Sequence, residues 1–557
     1  MMMTRIKKHL RWQAMSCIMT TALSVTALIS CSDDWNDHYD ATASGAGNGT
    51  LWQAIASRSD LSHFASVAKE CGYDILLDGS QTYSVFVPTN DALTETEAKQ
   101  LIAEFQKEQA LGVRPNANSV IRQFLQNHMA LYRHPVSSLT NETITMMNDK
   151  YVELTENTLG GNRILTANLL YDNGLLFTLA HQVDYIPNVF EYLHFDHELD
   201  SVYQFLNSHS VYEFDEARSV PGEIIDGVTH YLDSVSVLRN DILSQYGQID
   251  SEDSTYWFVA PTNAEWNRLA KEYEPYFNYP NNVDHRDSLT YTNARLGIIG
   301  GAFFSRTSNP DEAFRDSAVS TQAVSSQVRT LLEQDDTYYI YYKPFDEGGV
   351  FHGTEDIECS NGHVRKASQF NIPKLKTFVQ TIKVEAENTQ YQDSIIKAVE
   401  PLTVLEVPSG NPYYGKVSGN TFVEVIPETP DASVQVIFEL PNMLSALNYD
   451  IYGVFVPATA YDTLAVAETQ KSYRVRSVLR YPDQNGHEAT RRIAGNKNVN
   501  TTVVDTVKLV SAGSIPTCTY GLSNAKVKIE IQSGTNGATL RLDCIIVKPS
   551  ELEEAEN

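Results

Sequence analysis

The chain has 557 residues, which is too long for one core and, at roughly 100–200 residues per domain, predicts three or four domains. Its composition is that of a globular protein, with 42% hydrophobic and 20% charged residues. The formal net charge is -28 at pH 7, and it becomes more negative without residues 1–30, which contain basic but no acidic side chains. Such an acidic surface repels phosphate backbones, so we exclude nucleic acid as a partner.

Residues 1–30 have the pattern of a secretory signal peptide, in which basic side chains precede an apolar run from Ala14 to Ile29. The run is shorter than the ~20 residues that a membrane-spanning helix needs. The sequence Leu28-Ile29-Ser30-Cys31 resembles the bacterial lipobox, which implies cleavage before Cys31 and lipidation of its thiol and new amino terminus. The alternative is an ordinary signal peptide followed by a chance cysteine.

Residues 31–50 are polar and rich in small side chains, which predicts a flexible tether between a membrane and the folded part of the chain. Its first residues include Asp33, Asp34 and Asp37. This acidic start resembles the surface-export signal of Bacteroidota lipoproteins and implies a lipid-anchored outer-membrane protein that faces the cell exterior. A plain solvated tether also explains the same acidic residues.

From residue 51 to residue 187 helical and strand patterns follow one another. Apolar residues at helical spacing begin at Leu51, and Tyr83–Val87 is an apolar run, rich in aromatic and β-branched residues, that is typical of a buried strand. Pro88 ends that strand because it has no N–H to donate, and Thr89-Asn90 predicts a cap for the following helix. Further strands are predicted at Thr143–Met147, Tyr151–Thr155, Ile164–Asn168 and Leu175–Ala180.

The order of these features resembles that of a fasciclin (FAS1) domain. The family's first conserved block falls on Tyr83–Ala92, its central Tyr-His pair on Asn127-His128, and its closing box on the stretch from Asn173-Gly174 to Pro187. This chain has Asn127 where the family has tyrosine, and Phe177 where the closing box has histidine. The resemblance implies a fasciclin-like domain over residues 51–187.

The same strand-Pro-Thr-Asn corner returns at Tyr256–Glu265, and Ser360-Asn361-Gly362 repeats the closing Asn-Gly turn. Between them lies a poorly patterned region with one helical piece around Asn293–Phe304. Two such corners in one chain indicate a duplicated domain. Residues 188–377 therefore resemble a second fasciclin-like domain, which has diverged and carries insertions.

Residues 378–550 lose helical periodicity and become a series of short strands separated by turns, which predicts a two-sheet β-sandwich. The predicted strands include Val434–Glu439, Asp450–Val456, Tyr473–Tyr481, Thr502–Val510, Ala525–Gln532 and Ala538–Val547. The ends of this region, Val384–Asn388 and Leu542–Val547, are similar to the first and last strands of galactose-binding-like and carbohydrate-binding jelly rolls. The whole chain is thus predicted to be α+β, with two fasciclin-like α/β units followed by an all-β, jelly-roll-like sandwich.

No nucleophile-elbow, zinc-protease, Walker or dinucleotide-binding motif occurs in a supporting context, so no catalytic residue is predicted. The dense group His194-Phe195-Asp196-His197-Glu198-Leu199-Asp200 has side chains that ligate divalent metals, but a solvated linker between two domains is the simpler interpretation. Cys71, Cys359, Cys518 and Cys544 are scattered and show no zinc-type spacing. Cys518 and Cys544 are either a disulfide across neighbouring strands or two isolated buried thiols.

Glu385 and Glu387 are the predicted metal-binding residues. Jelly rolls that open with Glu-Ala-Glu use such carboxylates to hold a structural calcium ion, and calcium prefers oxygen ligands. The alternative is an edge strand whose glutamates face water. No other cofactor is predicted.

Tyr413 and Tyr414 are the predicted ligand-binding residues, because adjacent tyrosines between Pro412 and Gly415 favour a surface loop. A pair packed inward in the turn is the alternative. The chain has no tryptophan beyond Trp266, so the sandwich lacks the side chain best suited to stacking on sugars.

These features together predict a non-enzymatic cell-surface lipoprotein for adhesion or ligand binding, with a glycan or a surface or matrix protein as partner. The layout also fits an accessory subunit of an outer-membrane glycan importer. Two alternatives remain open: a polysaccharide-acting hydrolase with a carboxylate pair in the sandwich, and a structural spacer of the envelope.

Overall fold

The computed structural model describes residues 47–225, 227–309, 313–323, 338–399, 401–469, 472–492, 496–522, 525–532 and 534–550. The predicted signal peptide, Cys31 and most of the predicted tether lie outside these residues. The chain divides into two compact units, each built from two stretches of sequence. Unit 1 comprises the chain up to Pro187 together with Val211–Arg239, and unit 2 comprises Asn188–Ser210 together with the chain from Asn240 onward. In the described part of the chain, no helix is both long enough and apolar enough to cross a membrane.

Unit 1 packs helices against a seven-stranded sheet. Its helices are α1 (Leu51–Ser57), α2 (Ser62–Glu70), α3 (Tyr73–Asp78) and α4 (Glu95–Ala110). Its sheet strands are β1 (Tyr83–Pro88), β2 (Met129–Leu131), β3 (Asn141–Thr145), β4 (Tyr151–Thr155), β5 (Thr158–Leu159), β6 (Asn162–Tyr171) and β7 (Gly174–Leu179), in the spatial order β2-β1-β7-β6-β5-β4-β3. The apolar faces of the helices bury their side chains against one side of β1, and Phe86 and Phe177 stack in a second cluster on the other side.

The corner after β1 differs in one detail from the sequence prediction. Asn90 does not cap the helix that follows it; its Oδ1 accepts the His63 N–H at 3.1 Å, at the start of α2, and its Nδ2 donates to Ser59 O at 2.9 Å. The following helix α4 is capped instead by Thr94, which forms a capping box with Glu97. Asn90 therefore fastens the corner to an earlier helix, which the local sequence pattern does not reveal.

A long ribbon of two strands, β8 (Ser210–Ile225) and β9 (Val228–Asn240), was not predicted. Residues 211–239 belong to unit 1, where Val220 joins the helical core and Asn116 Nδ2 donates to Ser236 Oγ at 2.8 Å. Many apolar side chains of the ribbon are exposed, so it lacks the buried alternation by which strands are recognised in a sequence.

The first part of unit 2 repeats the corner of unit 1. Its helices are α5 (Val189–Phe195), α6 (Asp200–Asn207), α7 (Asp241–Tyr246), α8 (Asn263–Tyr273) and α9 (Arg286–Ile299). Its strands are β10 (Tyr256–Pro261), β11 (Phe303–Ser305), β12 (Ser317–Ala323), β13 (Tyr338–Tyr342), β14 (Glu355–Cys359) and β15 (Gly362–Ala367), with β11-β10-β15-β14 in one sheet and β12-β13 in another. β1 pairs in parallel with β7, and β10 pairs in parallel with β15, so that Tyr83 lies opposite Gly174 and Tyr256 opposite Gly362.

The asparagine before each of these glycines has the same four hydrogen bonds in both units. Asn173 accepts the Leu51 N–H and donates to Leu77 O and Gly79 O, while its carbonyl accepts the Tyr83 N–H. Asn361 accepts the Val189 N–H and donates to Ile249 O and Ser251 O, while its carbonyl accepts the Tyr256 N–H. The repeated sequence pattern thus corresponds to a repeated structure around Pro88 and Pro261.

The remainder of unit 2 is a sandwich of two antiparallel sheets. Its strands are β16 (Ile382–Glu385), β17 (Gln392–Ile396), β18 (Thr403–Glu406), β19 (Thr421–Val425), β20 (Gln435–Leu440), β21 (Tyr449–Phe455), β22 (Tyr473–Pro482), β23 (Glu488–Arg492), β24 (Lys497–Val499), β25 (Asp505–Gly513), β26 (Ala525–Ile531) and β27 (Leu540–Pro549), with one short helix, α10 (Val466–Thr469). One sheet has the order β18-β19-β27-β21-β25 with β16 on β27, and the other has the order β17-β20-β26-β22-β23 with β24 on β22. Alternate side chains of β22 and β26 are buried, as two facing sheets require.

The two parts of unit 2 are joined by the segment that connects α8 to α9. Asn278 accepts the Cys518 N–H at its carbonyl and donates through Nδ2 to Pro516 O, at 2.8 and 2.9 Å. Tyr279 donates its hydroxyl to Tyr520 O at 3.0 Å, and Phe277 packs against Phe378. The predicted boundary between residues 377 and 378 therefore lies inside one compact unit, and the sandwich shares buried contacts with the chain before it.

Candidate functional site

Three carboxylates meet where β16 ends beside β27. β16 runs antiparallel to β27 with Glu385 opposite Cys544, and the Ala386 N–H donates to Asp543 O at 2.9 Å, which extends the pairing past the strand. Glu385, Asp543 and Cys544 each offer one atom that could bind a metal ion, and these three atoms lie within 4.8 Å of one another. Glu387 follows two residues later and lies outside that trio. We call Glu385, Glu387 and Asp543 the acidic cluster.

The segment before and into β19 supplies the donors for the acidic cluster. Ser418 donates its N–H to Asp543 Oδ2 at 3.1 Å and its hydroxyl to Glu385 Oε1 at 2.7 Å. Thr421 donates its hydroxyl to Glu387 Oε1 at 2.6 Å. The ammonium of Lys383 pairs with Glu385 Oε1 at 2.8 Å and contacts the Ser418 hydroxyl.

Half of the oxygens in the acidic cluster have no donor. Glu385 Oε2, Glu387 Oε2 and Asp543 Oδ1 are buried and have no hydrogen-bond partner among the described residues. Asp543 is only 3% exposed. Leaving a buried acceptor unpaired costs about 1–3 kcal/mol and more for a charged group, so three such oxygens in one place need a compensating ligand.

The charges of the cluster are also unbalanced. The cluster has three carboxylates and one neighbouring ammonium, that of Lys383, which pairs with Glu385 and is 2% exposed. Burial, helped by the charges of Glu385 and Glu387 and opposed by the Ser418 N–H and Lys383, raises the pKa of Asp543 to about 7. A divalent cation would neutralise the two excess negative charges and occupy the unpaired oxygens.

The donor set fits a hard cation better than zinc. Calcium takes six to eight oxygen ligands and tolerates irregular geometry, and carboxylates are its preferred side chains. Zinc would use the thiolate of Cys544, and burial raises the pKa of that thiol far above its usual range, so forming the thiolate costs more here than in an exposed cysteine. The predicted residues Glu385 and Glu387 thus lie in a group that could hold calcium.

Sequence reasoning missed Asp543 and Ser418 as members of this group. Asp543 carries a charge in the middle of the apolar run Leu542–Val547, and an unexplained charge in a buried strand is the signal that could have identified it. Ser418 carries no such signal, because its role depends on the packing of β19 beside β27.

The tyrosine loop lies in the segment that links β18 to β19. Tyr413 donates its hydroxyl to Thr502 O at 2.8 Å, and its ring packs beside the buried cluster that contains Val417 and Phe422. Tyr414 is 49% exposed. The structure therefore separates the two predicted residues, since Tyr413 supports the loop and Tyr414 faces solvent.

Two other loops are joined to the tyrosine loop. Asn411 Nδ2 donates to Thr459 O at 2.7 Å, which ties the loop to the chain after β21, and the Tyr413–Thr502 hydrogen bond ties it to the chain before β25. The two neighbouring loops expose three further apolar side chains: Tyr461, which is 52% exposed, Leu464 and Val503. We call this surface the three-loop face.

The dense His/Asp/Glu group at residues 194–200 is held by a salt bridge. Lys366 pairs with Asp196 at 2.8 Å and with Glu198, while the His197 side chain is 93% exposed. The His194 ring packs against Tyr203 at 4.7 Å. Within the described residues the sole group of three potential metal ligands is Glu385, Asp543 and Cys544, so the side chains of residues 194–200 do not converge on a metal position.

His128 and three of the cysteines, Cys359, Cys518 and Cys544, are buried, while Cys71 is partly exposed. The His128 ring bonds to Phe124 O and accepts the Val183 N–H at 2.9 Å, and burial lowers its pKa to about 4, so it is neutral at pH 7. Cys518 and Cys544 are free thiols, which agrees with the second of the two sequence interpretations.

Comparisons with known proteins give one family match and several matches to solved structures. Residues 59–184 match the family model of the fasciclin domain. The chain is similar to a FAS1 domain pair from the insect cell adhesion molecule Fasciclin I, with 13% identity over 57% of this chain and 97% of that one and a TM-score of 0.19. It is also similar to the CBM22-1 xylan-binding domain of Xyn10C from Paenibacillus barcinonensis, with 14% identity over 30% of this chain and 92% of that one and a TM-score of 0.20. A further similar structure is the C-terminal CBM6 of LamC, a marine laminarinase from Zobellia galactanivorans, with 16% identity over 30% of this chain and 99% of that one and a TM-score of 0.16.

A search of curated proteins returns no match. The fasciclin resemblance is confirmed for residues 59–184. The predicted class, an α+β chain with a fasciclin-like part followed by a β-sandwich, is confirmed by the observed sheets.

Proposed function

We propose that this chain is a non-enzymatic surface protein that binds a glycan on the three-loop face of its sandwich, while two fasciclin-like domains carry that sandwich. The observation that supports this most directly is the convergence of three loops that expose Tyr414 and Tyr461. Tyrosine rings offer a flat apolar face and a polar hydroxyl, which suits the alternating apolar and hydroxyl surfaces of sugars. Loops held by a rigid scaffold are also where binding residues concentrate.

The duplicated corner supports the tandem arrangement. Asn173 and Asn361 make the same set of hydrogen bonds, and the parallel pairing is the same in both units. We therefore extend the fasciclin interpretation from residues 59–184 to the first part of unit 2.

Calcium bound by Glu385, Glu387 and Asp543 forms part of the proposal as a structural ion. Its chemistry is to neutralise buried carboxylates beneath the segment that leads to β19. No step of a reaction is assigned to it.

The lipobox-like sequence supports anchoring through Cys31 in the outer membrane. Replacing Cys31 with alanine is expected to move the protein from the membrane fraction to the soluble fraction, because no thiol remains for lipidation. Fractionation followed by immunoblotting measures this, with Cys71→Ala as the matched cysteine control. Membrane association that persists in the Cys31 variant would contradict a lipid anchor.

The alternative of a hydrolase requires two carboxylates that face a substrate cleft. Glu385 and Asp543 are close together, and a pKa of about 7 is one that a general acid needs. Asp543 is buried, however, and its partner is the backbone of Ser418 rather than open solvent. This burial favours an ion-binding role over contact with a polysaccharide.

Replacing Tyr414 or Tyr461 with alanine is expected to weaken glycan binding by about tenfold each, the loss typical of an aromatic contact worth about 1.4 kcal/mol. A glycan array identifies the bound polysaccharide, and affinity electrophoresis then compares the variants. Tyr342→Ala is the matched control, since this exposed tyrosine lies outside the sandwich. Retention on a polysaccharide that neither tyrosine variant changes would refute the three-loop face as the site, and turnover of the polysaccharide would refute the non-enzymatic assignment.

A further inference from the structure

The segment between β18 and β19 (residues 407–420) connects the acidic cluster to the three-loop face. Within the described residues its backbone hydrogen bonds are turns, such as Tyr414 N–H to Asn411 O at 3.0 Å, and one bond between its ends, Val407 N–H to Asn420 O at 2.7 Å. It has no strand partner along its middle, where the side chains of Asn411 and Tyr413 hold it to Thr459 and Thr502. The other side-chain restraints on the segment lie at its end beside β19.

The end of the segment beside β19 is held by the acidic cluster as well as by the Val407–Asn420 backbone hydrogen bond. Ser418 donates to Asp543 and Glu385, and Thr421, three residues later, donates to Glu387. Three donors within four residues thus reach all three carboxylates. Between Ser418 and Thr421, Asn420 accepts the Gly415 N–H at 2.6 Å. This hydrogen bond connects Gly415, the residue next to Tyr414, to the end of the segment that the acidic cluster holds.

The hydrogen bonds from Ser418 and Thr421 fix the segment only if the three carboxylates that accept them are themselves held in place. Each of the three carboxylates uses one oxygen for Ser418 or Thr421 and leaves the other buried without a donor. Those free oxygens belong to groups of like charge, which repel one another unless a cation lies between them. An ion held by the free oxygens would therefore fix the oxygens that hold the segment.

We propose that cation binding at the acidic cluster orders residues 407–420 through Ser418 and Thr421 and so positions Tyr414 for ligand binding. This inference rests on the proposed function for its biological meaning, since it describes regulation of the three-loop face. Linkage makes the coupling reciprocal: occupation of the three-loop face then strengthens cation binding by the same factor by which the cation strengthens ligand binding.

Hydrogen exchange with calcium alone tests the coupling without any glycan. In the full chain, calcium in place of a chelator is expected to slow exchange of the backbone amides of residues 411–420 by about tenfold or more, as expected for fixing hydrogen bonds to charged groups. Ser418→Ala removes the hydroxyl that donates to Glu385 but keeps the Ser418 N–H and the carboxylates, so calcium still raises the melting temperature of the sandwich but slows exchange in the segment less. Thr421→Val is a second, isosteric variant with the same expectation, in case Ser418→Ala does not fold.

Ser433→Ala is the matched control, because this hydroxyl bonds to Asn536 away from the cluster. It is expected to keep the calcium-dependent slowing in full. Equal exchange of residues 411–420 with calcium and with chelator in the unmodified chain overturns the coupling. So does slowing that stays undiminished in a chain that carries both Ser418→Ala and Thr421→Val. A failure to find a glycan would leave these results unchanged, which separates failure of the proposed function from failure of the coupling.

Discussion

Replacing Gly362 with alanine is expected to destabilise unit 2 by more than about 3 kcal/mol, a large part of the roughly 5–15 kcal/mol by which native domains are stable. Gly362 begins β15 with φ +142°, and a Cβ placed on it would lie 1.8 Å from Tyr256 O on the paired strand β10. The backbone would have to move at the point where Asn361 joins the corner to Val189 and Ile249, so the strain would spread through all of these contacts.

Gly174→Ala is expected to have the same effect in unit 1, where φ is +152° and the added Cβ would meet Tyr83 O at 2.0 Å. Gly353→Ala provides the matched control, because Gly353 also has positive φ (+71°) but no atom lies within 4 Å of its added Cβ. That control is expected to cost only about 1 kcal/mol, the conformational penalty of a left-handed residue. Calorimetric melting compares the three variants. If Gly362→Ala melted like Gly353→Ala, close approach of the two strands would not be the reason for glycine at this position.

These two glycines show how far the sequence alone reaches. The Asn-Gly turn and the strand-Pro-Thr-Asn corner are local patterns, so both were predicted as a repeat. What the asparagine does is not local: Asn173 bonds to Leu51, 122 residues away, and Asn361 bonds to Val189, 172 residues away. A turn prediction therefore finds the residue and misses its function in holding the first helix of each repeat.

The candidate site shows the same limit. Glu385 and Glu387 were found because Glu-Ala-Glu is a recognisable opening of a jelly roll. Their partner Asp543 lies more than 150 residues later and reaches them only because β16 pairs with β27. The ribbon β8–β9 was missed for a different reason, since its apolar side chains are largely exposed and give no buried alternation.

Calcium is expected to raise the melting temperature of unit 2 substantially at pH 8 and little at pH 4. The raised pKa of Asp543, from 3.8 to about 7, means that the folded chain holds this proton more tightly than the unfolded chain does. Without a cation, the contribution of Asp543 to the free energy of unfolding is therefore largest below pH 4 and falls as the pH rises to about 7. A shift of about three pKa units corresponds to about 4 kcal/mol, which a bound cation offsets at pH 8.

Asp543→Asn is expected to remove this behaviour. In chelator at pH 8 the variant is more stable than the unmodified chain, because the buried charge is gone, and at pH 4 the two are alike. The variant also loses the rise in melting temperature with calcium, because one of the free oxygens on which the ion depends has become part of a neutral amide. Scanning calorimetry at both pH values, with calcium and with chelator, measures all of these differences.

Asp450→Asn is the matched control, because Asp450 is another buried aspartate of the same sheet but pairs with Lys508 at 3.0 Å. Its loss breaks an ion pair, so this variant is less stable at pH 8 with or without calcium, and its response to calcium is unchanged. The two aspartates thus separate a carboxylate that is already neutralised within the chain from one that needs an external ion. If the unmodified chain melted at the same temperature with calcium and with chelator at pH 8, Lys383 alone would balance the charge of the cluster. The unpaired oxygens would then need another explanation.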